Sequence, residues 1–364
     1  MLIIDAHLDL SMNAIQWNRD LLLSAYTIRT QEQRTSGKGR AQGTVALPEM
    51  RTGRIALSVA TLIARSTGRP APHIDYPSPT QAYGMAHGQL AYYRALEMEG
   101  HIRIISDCAA LDSHMAEWRA WDQAHPEPLP LDQQHTTPPL GFVISMEGAD
   151  PILHPEQLEA WWQAGLRLLG PTHYGPGRYA GGTATELGLT PLGPALLREM
   201  ERLGVLLDLT HLSDQAFWEA LEHYNGLVLA SHNNCRALVP HQRQFSDQQL
   251  QAIFARDGVI GAAFDTWMLQ PGWVVDASTN AGVTMEMVVD HIDHICQLAG
   301  NSRHAAIGTD LDGGYGREQS PCDLDTIADL QKLQGMLAKR GYGTDDIDAI
   351  LHGNWLRLLR QAWR

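Results

Sequence analysis

Residues 205–211 read Val-Leu-Leu-Asp-Leu-Thr-His, and residues 227–232 read Leu-Val-Leu-Ala-Ser-His. Each is a short apolar run that ends on a histidine. Runs of this kind suit parallel strands buried on both faces, where both sides of the pleat need apolar residues. Between them, 214–223 has helical spacing, so the three segments form a strand–helix–strand unit.

Working outward, the same pattern recurs along the chain. Apolar runs at 2–7, 55–62, 102–106, 142–147, 167–172, 205–210, 227–231, 259–264 and 305–310 predict nine strands. Helical spacing at 81–97, 156–164, 193–203, 214–223, 247–256, 285–299 and 323–340 predicts the connecting helices. Ser246 or Asp247 is placed to cap the helix before Leu250, and Thr344 with Asp345 opens a last one. Strands alternating with helices predict the α/β class and a single (β/α)₈ TIM-type barrel. Nine runs are one too many for eight strands. One of the two shortest, 102–106, leads into a polar, proline-bearing excursion at 126–139 and is expected to lie outside the barrel. The polar stretch 24–48 reads as a loop over one barrel end. No linker interrupts the pattern, so one catalytic domain over 1–364 is expected.

At 364 residues and 44% hydrophobic, the chain can bury a large core. Its formal charge of −14 repels phosphate, which argues against nucleic acid and anionic membranes as partners. No run of about 20 apolar residues is present to span a bilayer. Cys108, Cys235, Cys296 and Cys322 show no CxxC spacing, which argues against a thiolate metal site and for buried or incidental thiols. The chain opens Met-Leu-Ile-Ile-Asp-Ala-His, with no basic start or cleavage site, so no signal peptide and a cytoplasmic location are expected.

The ends of the runs carry the chemistry. His7 and Asp9 close the first, Glu147 the fourth, and His173, His211, His232 and Asp310 follow later ones. In a (β/α)₈ barrel those ends converge on one rim, where active sites form. His7, Asp9, Glu147, His211 and His232 offer nitrogen and oxygen donors suited to zinc or a similar divalent ion. His7 and Asp9 point the same way because strand side chains alternate. Five donors exceed the need of one tetrahedral zinc with an open position. Two ions sharing a carboxylate would use them all, and Glu147 is the natural bridge. The chain's three lysines, Lys38, Lys332 and Lys339, end no strand, which removes a carbamylated lysine as the bridge. Asp310, heading Asp-Leu-Asp-Gly-Gly, is placed to move a proton between water and a leaving amine, with Asp312 as its rival. No Gly-x-Ser-x-Gly elbow supports a serine nucleophile.

These residues resemble the membrane dipeptidase (renal dipeptidase) family of zinc peptidases. The resemblance runs through Asp-Ala-His-Leu-Asp at 5–9, Leu-Pro-Glu-Met-Arg-Thr-Gly at 47–53, Ser-Met-Glu-Gly at 145–148 and Leu-Asp-Leu-Thr-His at 207–211. It continues in Ala-Ser-His-Asn at 230–233, Ile-Gly-Thr-Asp-Leu-Asp-Gly at 307–313 and Gly-Asn-Trp-Leu-Arg at 353–357. It implies a metallo-dipeptidase with two Zn²⁺ per chain, which cleaves dipeptides through a metal-bridging hydroxide. His7 and Asp9 would hold one zinc, His211 and His232 the other, with Glu147 between. Asp310 would handle the water proton and His173 would help bind the oxyanion. Arg243, eleven residues after His232, would grip the substrate carboxylate, with Arg236 as its rival. A D-residue at the C-terminal position and a homodimer are further implications. The segment after His173, Tyr-Gly-Pro-Gly-Arg-Tyr-Ala-Gly-Gly, departs from the Asn-rich stretch of the animal enzymes, which bears on side-chain specificity.

Two rival readings stand beside it. One is an amidohydrolase of the same barrel type acting on a cyclic amide or other non-dipeptide substrate. The missing lysine bridge and the Arg243 spacing count against it. The other is a binding protein that has lost activity, and the full donor set counts against that.

Overall fold

The computed structural model describes residues 1–68 and 74–363. Nine strands form a parallel sheet: β1 (Ile3–Leu8), β2 (Ile55–Ile63), β3 (Ile102–Ile104), β4 (Leu140–Glu147), β5 (Leu166–Gly170), β6 (Leu206–Asp208), β7 (Val228–Ala230), β8 (Val259–Ala262) and β9 (Ala305–Ile307). Their order is β1-β2-β4-β5-β6-β7-β8-β9, with β3 off this path. Every residue of β1, β2 and β4 is buried, as expected of a sheet covered by helices outside and packed with side chains inside.

The expectation for 102–106 holds. β3 pairs only with Leu140–Phe142 of β4, and β5 joins the same strand from Ile144 onward. The two therefore share one edge of β4, and β3 stops short of the rim. Eight strands make a nearly closed (β/α)₈ barrel. At the seam between β9 and β1, Asp310 N–H donates to the His7 carbonyl at 3.3 Å. The Asp5 carboxylate accepts from the N–H and hydroxyl of Thr309.

Several strands end earlier than the sequence suggests. β6, β7 and β9 stop at Asp208, Ala230 and Ile307, short of the predicted 210, 231 and 310. His211 (φ 68°) and Asp310 (φ 59°) occupy the left-handed region, which breaks the ladder before them. His211, His232 and Asp310 thus sit just beyond the sheet, whereas His7 and Glu147 lie in the last residues of β1 and β4.

Among the helices, Gly193–Leu203, Asp214–His223 and Met285–Ala299 have the expected bounds. Ser246 caps Asp247–Ala255 through a capping box with Gln249. The stretch 323–340 divides into a 3₁₀ turn, Ile327–Gln331, and an α-helix, Lys332–Arg340.

Besides the short helices Leu10–Ile15, Leu47–Thr52 and Thr266–Leu269, two longer ones were not foreseen. Within 24–48, read as loop, Ala25–Glu32 forms a helix capped by Ser24. Its buried face includes Arg29 and Glu32, held by ion pairs, so apolar periodicity could not mark it. Cys108–Ala124 is a 17-residue helix capped by Asp107, burying Leu111, Met115, Trp118 and Trp121. No helix among the described residues is long and apolar enough to cross a membrane.

Candidate active site

The strand ends open onto a cavity of about 290 Å³, lined among others by Asp9, Glu147, His173, His211, His232, Arg243 and Asp310. Glu147, the last residue of β4, lies at its centre. Its Oε1 is 3.2 Å from His211 Nε2 and 3.4 Å from His232 Nε2. Its Oε2 is 3.6 Å from His7 Nε2 and 3.8 Å from His173 Nε2. His7 Nε2 is also 3.9 Å from Asp9 Oδ1 and 3.8 Å from Asp310 Oδ1. All seven strand-end residues therefore converge, although they come from six different strands.

His7 Nε2, Asp9 Oδ1 and Glu147 Oε1 are buried without a hydrogen-bond partner. Buried polar atoms normally find partners, so three orphans facing one point call for a group that accepts their lone pairs. Three sets of side chains (His7, Glu147, His232; Glu147, His173, His211; His7, Asp9, Asp310) bring donor atoms within 4.8 Å of one another. Mixed imidazole and carboxylate donors at this spacing fit divalent metal ions.

The imidazoles are arranged for the same purpose. Thr183 Oγ1 lies 2.9 Å from His211 Nδ1 and Ser231 Oγ lies 2.9 Å from His232 Nδ1. A hydroxyl that accepts Nδ1–H leaves the Nε2 lone pair free, as a ligand requires. The two Nε2 atoms approach to 3.1 Å, a repulsive arrangement that a cation would relieve.

Burial holds His211 and His232 well below the usual histidine range, with Arg243 adding to it in both. Both rings are therefore neutral. Burial opposes charge on His7 as well, but Glu147, Asp9 and Asp310 outweigh it and hold the ring up at about 10. Burial pushes Glu147 up to about 7 and Asp310 well above the usual carboxylate range. The carboxylates thus make a buried field that draws a proton onto His7, and the same field would draw a metal cation.

The structure places the members of each rival pair differently. Arg243 is buried in the cavity wall, its guanidinium donating to the His232 carbonyl at 2.9 Å and to Asn233 Oδ1. Arg236 is instead paired with Asp214 at 2.6 and 2.9 Å. Asp310 faces His7, while Asp312 points away and accepts from Thr44 N–H, Thr44 hydroxyl, Val45 N–H and Arg19.

Sequence reasoning missed Arg65, Asp265 and Thr183. Arg65, just beyond β2, lines the cavity and lies 3.1 Å from His173 Nδ1. Asp265, beyond β8, also lines it and is held by Trp267 Nε1 (2.7 Å) and Gln319 Nε2 (2.8 Å). Both are the first charged residues after their apolar runs, so the rule that found His211 would have found them. Thr183 is remote in sequence and carried no such signal.

The model of the membrane dipeptidase family (peptidase family M19) matches residues 1–364. An uncharacterized Klebsiella pneumoniae protein is 32% identical over 234 residues, covering 62% of this chain and 83% of that one. A dipeptidase of Claviceps purpurea is 29% identical over 212 residues, 56% of this chain, and the match spans about half (47%) of that longer protein. Among solved structures, a metallopeptidase from Rhodobacter sphaeroides, liganded with a phosphinate mimic of the dipeptide L-Ala-D-Ala, superposes with a TM-score of 0.76 at 24% identity. That superposition covers 100% of this chain and 99% of the other. Barrel, rim and full-length match agree: the chain belongs to the membrane dipeptidase family of metallopeptidases, peptidase family M19.

Proposed function

We propose that this chain hydrolyses dipeptides with two bound zinc ions. His7 and Asp9 would hold one ion, His211 and His232 the other, with Glu147 shared between them. The observation that carries this reading is the division of Glu147: Oε1 faces His211 and His232, and Oε2 faces His7. When bound, the ions would supply Lewis acidity at the scissile carbonyl and acidify the attacking water.

The chain's own residues supply the rest. Asp310 takes the proton of the attacking water and returns it to the departing amine. Its burial-raised pKa suits a group that must both accept and release a proton. His173, neutral and at the cavity edge, donates to the oxygen that gains charge as the carbonyl carbon becomes tetrahedral. Arg243 pairs with the C-terminal carboxylate, for which a planar two-pronged donor is suited. A fixed distance from that clamp to the scissile carbonyl limits substrates to about two residues. The R. sphaeroides relative's ligand, a mimic of L-Ala-D-Ala, makes a D-residue at the C-terminal position part of the proposal.

The test is a panel of dipeptides with L- or D-residues at the C-terminal position, beside matching tripeptides and cyclic amides. Each is assayed with chelator and after zinc restoration. Cleavage of dipeptides that chelator abolishes and zinc restores, with tripeptides spared, is the expected result. Turnover of cyclic amides alone would favour the amidohydrolase reading, and bound metal without turnover would favour a binding protein.

A further inference from the structure

The four histidines of the cavity differ in what their outer ring nitrogens meet. Nδ1 of His211 faces Thr183 Oγ1 at 2.9 Å, and Nδ1 of His232 faces Ser231 Oγ at 2.9 Å. Nδ1 of His7 lies 3.4 Å from the same Ser231 oxygen. Hydroxyl oxygens accept hydrogen bonds, so His211 and His232 can carry the proton on Nδ1 and turn a bare Nε2 toward Glu147, and His7 can do the same once a cation replaces its second proton. His173 is different. Its Nδ1 lies 3.1 Å from Nη1 of Arg65. A guanidinium has donors and no acceptor, and it does not deprotonate in proteins. Nδ1 of His173 must therefore be the bare nitrogen, and a neutral ring then carries its proton on Nε2. That nitrogen lies 3.8 Å from Glu147 Oε2, facing the reacting centre.

We propose that Arg65 is a positioning residue that locks His173 as its Nε2–H tautomer, making it a hydrogen-bond donor to the substrate and excluding it from the metal ligands. A ring whose Nδ1 accepts from a cation and whose Nε2 binds a metal would have to lose its only proton. The structure holds Arg65 firmly in this role. Its N–H donates to the Ile74 carbonyl at 2.7 Å and its own carbonyl accepts from Tyr76 N–H at 2.8 Å. Its Nε lies 3.5 Å from Asp75 Oδ2, and Asp75 is in turn fixed by Thr67 N–H (3.0 Å) and the Thr67 hydroxyl (2.6 Å). The backbone bonds to Ile74 and Tyr76, with the Asp75 carboxylate, thus hold a guanidinium aimed at one nitrogen of one imidazole.

The experiment uses the full-length, metal-loaded protein with ¹⁵N-labelled histidine. Long-range ¹H–¹⁵N correlation distinguishes a protonated ring nitrogen from a bare one, and the His173 signals are those absent from His173→Ala. Wild type is expected to show His173 protonated on Nε2. Arg65→Met moves a large share of that proton to Nδ1, and Arg65→Lys, which still donates, keeps it on Nε2. A wild-type His173 protonated on Nδ1, or a tautomer unchanged in Arg65→Met, overturns the proposal. The wild-type spectrum can do so even if Arg65→Met fails to fold.

Kinetics give a second arm, which rests on the oxyanion reading of His173. Arg65→Met lowers kcat roughly 10- to 100-fold with little change in KM, within the loss of an oxyanion donor. In a His173→Ala background it lowers kcat no further, because Arg65 acts through that ring. Losses that multiply would show an independent role and overturn the proposal. Should His173→Ala turn over like wild type, the oxyanion reading fails, and the tautomer spectra still decide on Arg65.

Discussion

The Asp5 carboxylate binds Thr309 twice, accepting its backbone N–H at 2.8 Å and its hydroxyl at 2.6 Å. The same carboxylate accepts from His7 N–H at 3.2 Å. β1 and β9 share no ladder, so this buried side chain does the work of missing backbone bonds where the barrel closes. It also sets the spacing between His7 and Asp310. Replacing it by alanine strands two buried donors of Thr309, at about 1–3 kcal/mol each. Asp5→Ala is expected to lose about 3 kcal/mol in urea unfolding and to bind metal more weakly. Asp5→Asn, which keeps an acceptor, should lose less than half as much. Equal losses for the two variants would count against this account of the seam.

Asp310 and Asp312 stand two residues apart in sequence but belong to different machinery. Asp312 is the hub of a buried network: Arg19 reaches it at 3.3 Å and Glu32 at 2.9 Å, and Thr44 and Val45 close over it. Asp310 meets none of these and faces His7. Asp310→Asn should therefore abolish most turnover, by about 100-fold or more, with unfolding unchanged. Asp312→Asn should do the reverse, costing about 2 kcal/mol or more of stability as Arg19 loses a buried partner. Measuring kcat and the urea midpoint of both variants separates the roles, and matching profiles would merge them.

How much of this was legible in the sequence depended on which force made each element. Strands β1, β2 and β4 are wholly buried, mainly apolar runs, and the charged or imidazole side chains at or just beyond the ends of β1 and β4 marked the rim. The fate of 102–106 was legible too, because that short run leads into the polar, proline-bearing stretch 126–139. Ala25–Glu32 was not, since the ion-paired Arg29 and Glu32 share its inner face with Ala25 and Ile28 and break the apolar spacing. Strand ends were overrun at His211 and Asp310 because a left-handed turn leaves no mark in composition. The site was read through identities at strand ends. Thr183 escaped because it serves another side chain and is fixed by three-dimensional contact alone, whereas Arg65 and Asp265 stood in the sequence as the first charged residues beyond their apolar runs.

Thr183 offers a test of the outer support of the proposed metal ligands. Its hydroxyl is 2.9 Å from His211 Nδ1 and donates to the His211 carbonyl at 3.4 Å, which leaves it an acceptor for Nδ1–H. Valine has nearly the same shape and no acceptor. Thr183→Val is expected to weaken metal binding roughly 10- to 100-fold, the usual cost of losing such a partner. Competition with a graded chelator measures it. Unchanged affinity would mean that His211 is oriented by packing alone.

His114 predicts a pH dependence remote from the rim. It lies buried on the helix Cys108–Ala124, with Nε2 2.7 Å from the Ala56 carbonyl. Burial pushes its pKa down to about 4, against an ordinary value of 6.5. Since the unfolded chain takes up the proton first, stability is full above pH 6.5 and falls as pH drops toward 4. At pH 5 this group alone accounts for about 2 kcal/mol. His114→Gln keeps a donor for Ala56 and does not titrate. Between pH 7 and pH 5, wild type should lose about 2 kcal/mol more than the variant in urea unfolding; parallel losses would refute the assignment.

Arg243 has the most direct bearing on why the substrate should be a dipeptide. Its Nη2 is fixed to the carbonyl of His232 at 2.9 Å, and Nη1 bonds the neighbouring Asn233, so the guanidinium is held beside a metal-ligand candidate. Asn233 is itself buried, so the clamp has little freedom to follow a longer chain. Arg243→Ala should lower kcat/KM for dipeptides by about 2–4 kcal/mol, roughly 30- to 1000-fold. Arg243→Lys should recover little, because a point charge cannot grip both carboxylate oxygens. The decisive comparison uses dipeptides whose C-terminal carboxylate is capped as an amide. If Arg243 reads that carboxylate, wild type and Arg243→Ala should turn over the amides at nearly the same slow rate. A deficit that persists on the amides would assign Arg243 to holding His232 in place.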